Sequence, residues 1–116
     1  MEGIVVGGNL RCFLKLAGTP YFPDLDGKIL LLEAYSGLPA QITTYISQLK
    51  QLNAFERVSG VMLGTFTQWE EHLTMKVEEF ILRFVGTEIP VARTGDIGHC
   101  TDAKAIEIGE MLRLKR

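Results

Sequence analysis

A chain of 116 residues has the length of about one domain, and 47% apolar with 22% charged residues is the balance of a packed globular protein. That balance excludes a disordered tail, and 12 glycines without a fixed period exclude a collagen-like fibre. A net charge of -2 argues against nucleic acid or an anionic membrane as partner, since both need a basic surface.

The longest apolar runs, such as Ile29-Leu30-Leu31-Leu32, fall far short of the ~20 residues of a membrane span. No basic stretch followed by an apolar one opens the chain, so no secretion signal is expected. Cys12 and Cys100 are too few for a disulfide framework and lack metal spacing. They are expected as free thiols in a reducing, cytoplasmic setting, and with His72 and His99 the ligand inventory is too thin for a structural metal. No cofactor motif is complete either.

The elements alternate along the chain. Residues 3–8 read as a short strand ending in glycines. Asn9 then sits where an N-cap belongs, with Leu10, Phe13, Leu14 and Ala17 at helical spacing and Gly18 closing the turn. Residues 19–27, with two prolines and Asp26-Gly27, form a loop. The continuous apolar run at 28–33 predicts a strand buried on both faces. Pro39 suits the first turn of a helix, Ile42, Tyr45, Ile46 and Leu49 give its stripe, and Asn53 stops it.

Residues 58–64 predict a second buried strand. Thr67-Gln68-Trp69-Glu70 fits a capping box, yet a loop or loose turn is the expectation before Thr74. Val77, Phe80, Ile81, Phe84 and Val85 mark an amphipathic helix ended by Gly86. A strand at 89–93, a polar loop at 94–101 and a hairpin of strands at 105–108 and 111–114 complete the order. The core is expected to include Leu30, Leu32, Ile46, Leu49, Val61, Leu63, Phe80, Ile81 and Phe84. No linker or repeat divides residues 1–116, so one α/β domain with antiparallel pairing near its end is expected.

Two residues carry chemical interest. Glu33 ends a buried strand, at the edge where open α/β sheets gather ligands. His99 lies in the loop after the strand at 89–93, and histidine is the common general base near neutral pH. Each also has an ordinary reading, as a strand end entering solvent and as an incidental loop histidine. Together they would make two members of a nucleophile–base–orienter triad. The third is missing: Ser36, Ser47 and Ser59 lie outside any Gly-x-Ser-x-Gly elbow, and Cys100, as the neighbour of His99, is poorly placed to face it. His72, after Glu70-Glu71, reads as a solvated surface histidine. Gly7-Gly8-Asn9 reads as a tight turn plus N-cap, since the full phosphate-binding spacings are absent.

Several strings taken together resemble the C-terminal domain of the LD-carboxypeptidase family, which includes murein tetrapeptide carboxypeptidases and microcin C self-immunity proteins. They are Gly7-Gly8-Asn9-Leu10, Ala17-Gly18-Thr19-Pro20-Tyr21, Asp26-Gly27-Lys28-Ile29-Leu30-Leu31-Leu32-Glu33, Phe55-Glu56-Arg57-Val58-Ser59-Gly60-Val61-Met62-Leu63-Gly64 and Gly98-His99. The resemblance implies a three-layer β/β/α domain with mixed parallel and antiparallel strands. It also implies a Ser-Glu-His serine peptidase in which Glu33 orients and His99 is the general base. The nucleophilic serine and the oxyanion hole would come from an N-terminal domain absent here, so this chain alone would be inactive. The implied substrates are a murein peptide or a microcin-like aminoacyl nucleotide. The chain departs from the family at 103–109, where a proline-bearing segment is usual, and stops before a further strand. The face left open would favour self-association, as a homodimer. The rival expectation is a non-catalytic α/β module that binds a ligand or partner at the same edge.

Overall fold

The computed structural model describes residues 1–115. Its centre is a five-stranded sheet in the order β4-β3-β2-β1-β5, built from β1 (Glu2–Asn9), β2 (Ile29–Ala34), β3 (Gly60–Phe66), β4 (Val91–Arg93) and β5 (Met111–Arg113). β1 to β4 run parallel, and β5 pairs antiparallel with the start of β1 through Glu2, Gly3 and Ile4. β2 and β3 are buried at every position, as their apolar runs require of strands covered on both faces.

Side-chain alternation sorts these strands into two cores. Val6, Leu30, Leu32, Val61 and Leu63 face one way, into the larger core, where the helices pack. Those helices are α1 (Leu10–Leu14), α2 (Pro39–Gln51), α3 (Ala54–Arg57), α4 (Thr67–His72) and α5 (Val77–Val85). Val5, Ile29, Leu31 and Met62 face the other way, against Ile97, Ile106, Leu112 and Leu114. The second face is therefore covered by the chain that returns from β4 to β5. The mixed parallel and antiparallel α/β architecture is the expected one.

Local signals behave as their chemistry dictates. Asn9 caps α1 by accepting from the Cys12 N–H at 3.1 Å. Pro39 opens α2, and Asn53 follows its end in the left-handed region at φ 57°. Leu30, Leu32, Ile46, Leu49, Val61, Leu63 and Ile81 are buried.

Four expectations are corrected. Residues 67–72 form α4 rather than a loose turn. Trp69 buries its ring and donates its Nε1–H to the Met75 carbonyl at 2.7 Å, which anchors this short helix. Residues 105–108 form no strand, because their backbone has no neighbouring strand to pair with; the β character there is confined to β5. Phe80 and Phe84 are only partly buried, because the α5 stripe buried in the helix-side core is Val77, Ile81 and Val85, at i, i+4 and i+8. Phe80 instead stacks between Trp69, at 5.0 Å, and Phe84, at 5.6 Å. Ser59 precedes β3 rather than lying within it, donating its hydroxyl toward the Glu2 and Lys28 carbonyls.

Candidate functional site

The carboxyl ends of the parallel strands meet at one edge of the sheet, where such folds collect ligands. Glu33 sits there on β2, in register with Asn9 at the end of β1. It lies on the sheet face opposite the helices, because its neighbours Leu32 and Ala34 belong to the helix-side core. Its residue surface is 7% exposed, very low for a carboxylate.

His99 reaches this carboxylate from the loop after β4. Its Nδ1 lies 2.8 Å from Glu33 Oε2, across 66 positions of sequence. A carboxylate accepts, so Nδ1 carries the proton and donates it, which leaves Nε2 unprotonated in the neutral ring. The His99 side chain is 43% exposed, so the pair has a buried acidic end and an open basic end. Tyr35, one residue past Ala34, holds its ring 5.2 Å from the imidazole at a tilt of 60°. A carboxylate bonded to one nitrogen of a partly exposed imidazole is chemically able to orient the ring for proton transfer.

Local sequence explains the approach. Between β2 and β3 the register passes from Leu32↔Leu63 to Ala34↔Phe66, so β3 carries one extra residue at Gly64-Thr65. Bulges of this kind re-aim side chains at functional edges. Gly64 has no Cβ to fill the space between the Ile97 carbonyl and Glu33 Cβ. Gly98, at φ +145°, lies so close to Thr65 that a Cβ would overlap the threonine hydroxyl.

The other singled-out residues lie elsewhere. His72 is exposed at the end of α4, with Nδ1 donating to the Gln68 carbonyl at 2.9 Å. Cys100 Sγ is 3.5 Å from the Gly95 carbonyl of its own loop, and Cys12 is exposed. Ser36 is exposed in the chain after β2, and Ser47 lies within α2. Among the described residues no serine hydroxyl or cysteine thiol is hydrogen-bonded to His99. Sequence reasoning missed Tyr35 and Thr65. Tyr35 was discoverable as the aromatic beside the strand-end carboxylate; Thr65 gave no signal of its own. A cavity of about 520 Å³ lined by Lys50, Phe55, Arg83, Phe84 and Ile89 shares no residue with this edge. A smaller one of about 160 Å³ borders it through Tyr35, Ser36 and Gln68. No helix among the described residues is long and apolar enough to cross a membrane.

Comparison with known proteins gives a consistent result. The family model described as LD-carboxypeptidase C-terminal domain matches residues 2–114. The Probable murein peptide carboxypeptidase of Bacillus subtilis is 31% identical over 115 residues, which cover 93% of this chain and 35% of that protein. The Microcin C7 self-immunity protein MccF of Escherichia coli is 29% identical over 117 residues, covering 98% of this chain and 34% of that protein. A solved structure of MccF in complex with aspartyl sulfamoyl adenosine superposes with a TM-score of 0.86 at 26% identity, over 96% of this chain and 34% of that one. The muramoyltetrapeptide carboxypeptidase of Oxalobacter formigenes gives a TM-score of 0.77 at 25% identity, over 96% of this chain and 40% of that one. The chain thus spans about a third of the length of the curated relatives it matches.

Proposed function

The chain belongs to the LD-carboxypeptidase C-terminal domain family, and from that premise we propose that it supplies the glutamate and histidine of a Ser-Glu-His peptidase. The observation that carries the reading is the 2.8 Å contact between Glu33 and His99 at the carboxyl edge of the sheet. The nucleophilic serine and the oxyanion donors lie outside this chain, in the part of the protein that the relatives have in addition.

In this mechanism the serine Oγ attacks the carbonyl of a peptide or amide bond next to a free carboxylate. His99 Nε2 takes the hydroxyl proton as the C–O bond forms. The imidazolium is held by Glu33 through Nδ1–H. His99 then passes the proton to the leaving nitrogen as the C–N bond breaks, which leaves an acyl-serine. A water loses its proton to His99, attacks the acyl carbon, and the serine leaves with that proton. Glu33 is suited to its part because it is buried and bonded to Nδ1, and His99 because its side chain is 43% exposed.

The relatives' names point to two substrate classes, a murein peptide and an aminoacyl nucleotide analogue. Murein turnover and defence against a microcin-like amide are the matching roles. The free Cys12 and Cys100 fit a reducing, cytoplasmic site of action. The open edge near Tyr35, Leu38 and His99 is the face that would meet the nucleophile-bearing part or, without it, a second copy.

The test compares this chain with a longer polypeptide that joins it to the remaining length of its relatives. The longer protein is expected to release D-alanine from a murein tetrapeptide or the amino acid from an aminoacyl sulfamoyl adenosine, and the chain alone to release neither. Turnover by the isolated chain that survives Glu33→Ala and His99→Ala would overturn the reading.

A further inference from the structure

We propose that Thr65 is a positioning residue for His99, fixing the 97–99 segment so that the imidazole meets Glu33; this rests on the reading of Glu33 and His99 as a catalytic pair. Thr65 and Glu33 are the buried polar side chains of the described residues, and they lie side by side at the same strand edge. A buried hydroxyl needs a partner. The partner here is the loop that carries the histidine.

Thr65 grips that loop at two points. Its backbone N–H donates to the Ile97 carbonyl at 2.7 Å. Its Oγ1 accepts from the His99 N–H at 3.3 Å. The two bonds straddle Gly98, whose missing side chain leaves the space that the threonine hydroxyl fills. The extra residue in β3 is what brings Thr65 to this contact: Leu63 and Phe66 both belong to the helix-side core, so the strand's alternation breaks at Gly64-Thr65.

The loop has few other ties near the histidine. Ile97 packs on the smaller core and fixes residue 97. Thr94 N–H donates to the Leu63 carbonyl, which fixes the start of the loop. The bonds of Asp96 to Thr94 and Lys104, and of Ala103 to Cys100, stay within the loop. Among the described residues, only the Thr65 hydroxyl is hydrogen-bonded to the backbone of residue 99 itself. A half-exposed histidine on a glycine-bearing loop would otherwise sample many positions, and small misplacements of a general base cost much of its effect.

The test is made on this chain, by NMR of the ¹⁵N-labelled protein. The wild type is expected to show a downfield Nδ1–H resonance from His99, which Glu33→Leu, with no acceptor, removes. Thr65→Val keeps the branched shape but loses the acceptor. It is expected to lose that resonance, or to exchange it with solvent roughly fivefold faster, the factor that one neutral hydrogen bond is worth. Thr65→Ser keeps the hydroxyl and is expected to retain the resonance. Methyl spectra report whether each variant keeps its core. An unchanged resonance and exchange rate in folded Thr65→Val would overturn the proposal, as would loss of the resonance in folded Thr65→Ser. The second outcome decides the matter even if Thr65→Val does not fold. A wild type without the resonance, or one in which folded Glu33→Leu leaves it in place, would instead remove the Glu33–His99 pair, and this proposal with it.

Discussion

Glu33 places a carboxylate where the neighbouring strand residues are apolar and fully covered. Such a group is tolerated only when its oxygens find donors, and the donor found is a histidine 66 residues away. A more exposed cluster, Arg57 with Asp24 and Asp26, also pairs carboxylates with a donor. Arg57 donates to Asp26 at 2.7 Å and to Asp24 at 2.6 Å, and its hydrogen bond holds the Asp26 carboxyl below the ordinary carboxylate value. Because the folded value is the depressed one, the contribution to stability is present above the ordinary carboxylate range. It is lost as pH falls through the depressed value. Arg57→Gln is expected to return Asp26 to the ordinary range in an NMR titration; an unmoved Asp26 would show that another group holds it. The sequence made Glu33 visible, because a charge at the end of five apolar and basic residues stands out. His99 was visible only as a histidine on a strand-end loop. Thr65 was not visible, since a lone threonine just past the predicted strand at 58–64 is ordinary. Its place depends on a bulge and on a loop 34 residues away, which no local pattern encodes.

At the scale of elements, strands with continuous apolar runs and the helix α2 were legible from period and caps. α4 was not, because six residues are too few to show a stripe; its helix is held by the tertiary burial of Trp69. The buried face of α5 differs from the expectation because five apolar residues at 77, 80, 81, 84 and 85 form a band wider than the strip that the core covers. Only Val77, Ile81 and Val85 reach it, and Phe80 and Phe84 lie on the flank. Arg93 joins these helices to the site edge. It pairs with Glu70 of α4 and Glu78 of α5 and donates to the Gly64 carbonyl, beside Glu33. The burial pattern predicts a ranking by denaturant unfolding. Trp69→Ala removes a fully buried ring and an anchoring hydrogen bond and is expected to cost roughly 3–5 kcal/mol. Phe80→Ala, from a partly exposed ring, is expected to cost less. The reverse order would mean that the flank, and not Trp69, holds α4 and α5 together.

For the molecule as a whole, the parallel sheet has a chemical edge and a supporting edge. The carboxyl ends of β1, β2 and β3 and the loop after β4 bring together Asn9, Glu33, Thr65 and His99, while the opposite ends are tied by Ser59 and by the return of the chain to β5. On the proposed reading, this third of the relatives' length contributes a buried carboxylate bonded to a half-exposed histidine, and the hydroxyl on which they act comes from the remaining length. The central claim is that Glu33 and His99 act as one unit upon that nucleophile. The measurement that tests it most directly is kcat of the longer polypeptide carrying His99→Ala, Glu33→Gln or both. Members of such a unit are strongly non-additive, so His99→Ala is expected to lower kcat by roughly 10⁴- to 10⁶-fold, with Glu33→Gln adding little once the histidine is gone. A His99→Ala enzyme within about tenfold of wild type, or losses from the two substitutions that multiply in full, would contradict the account.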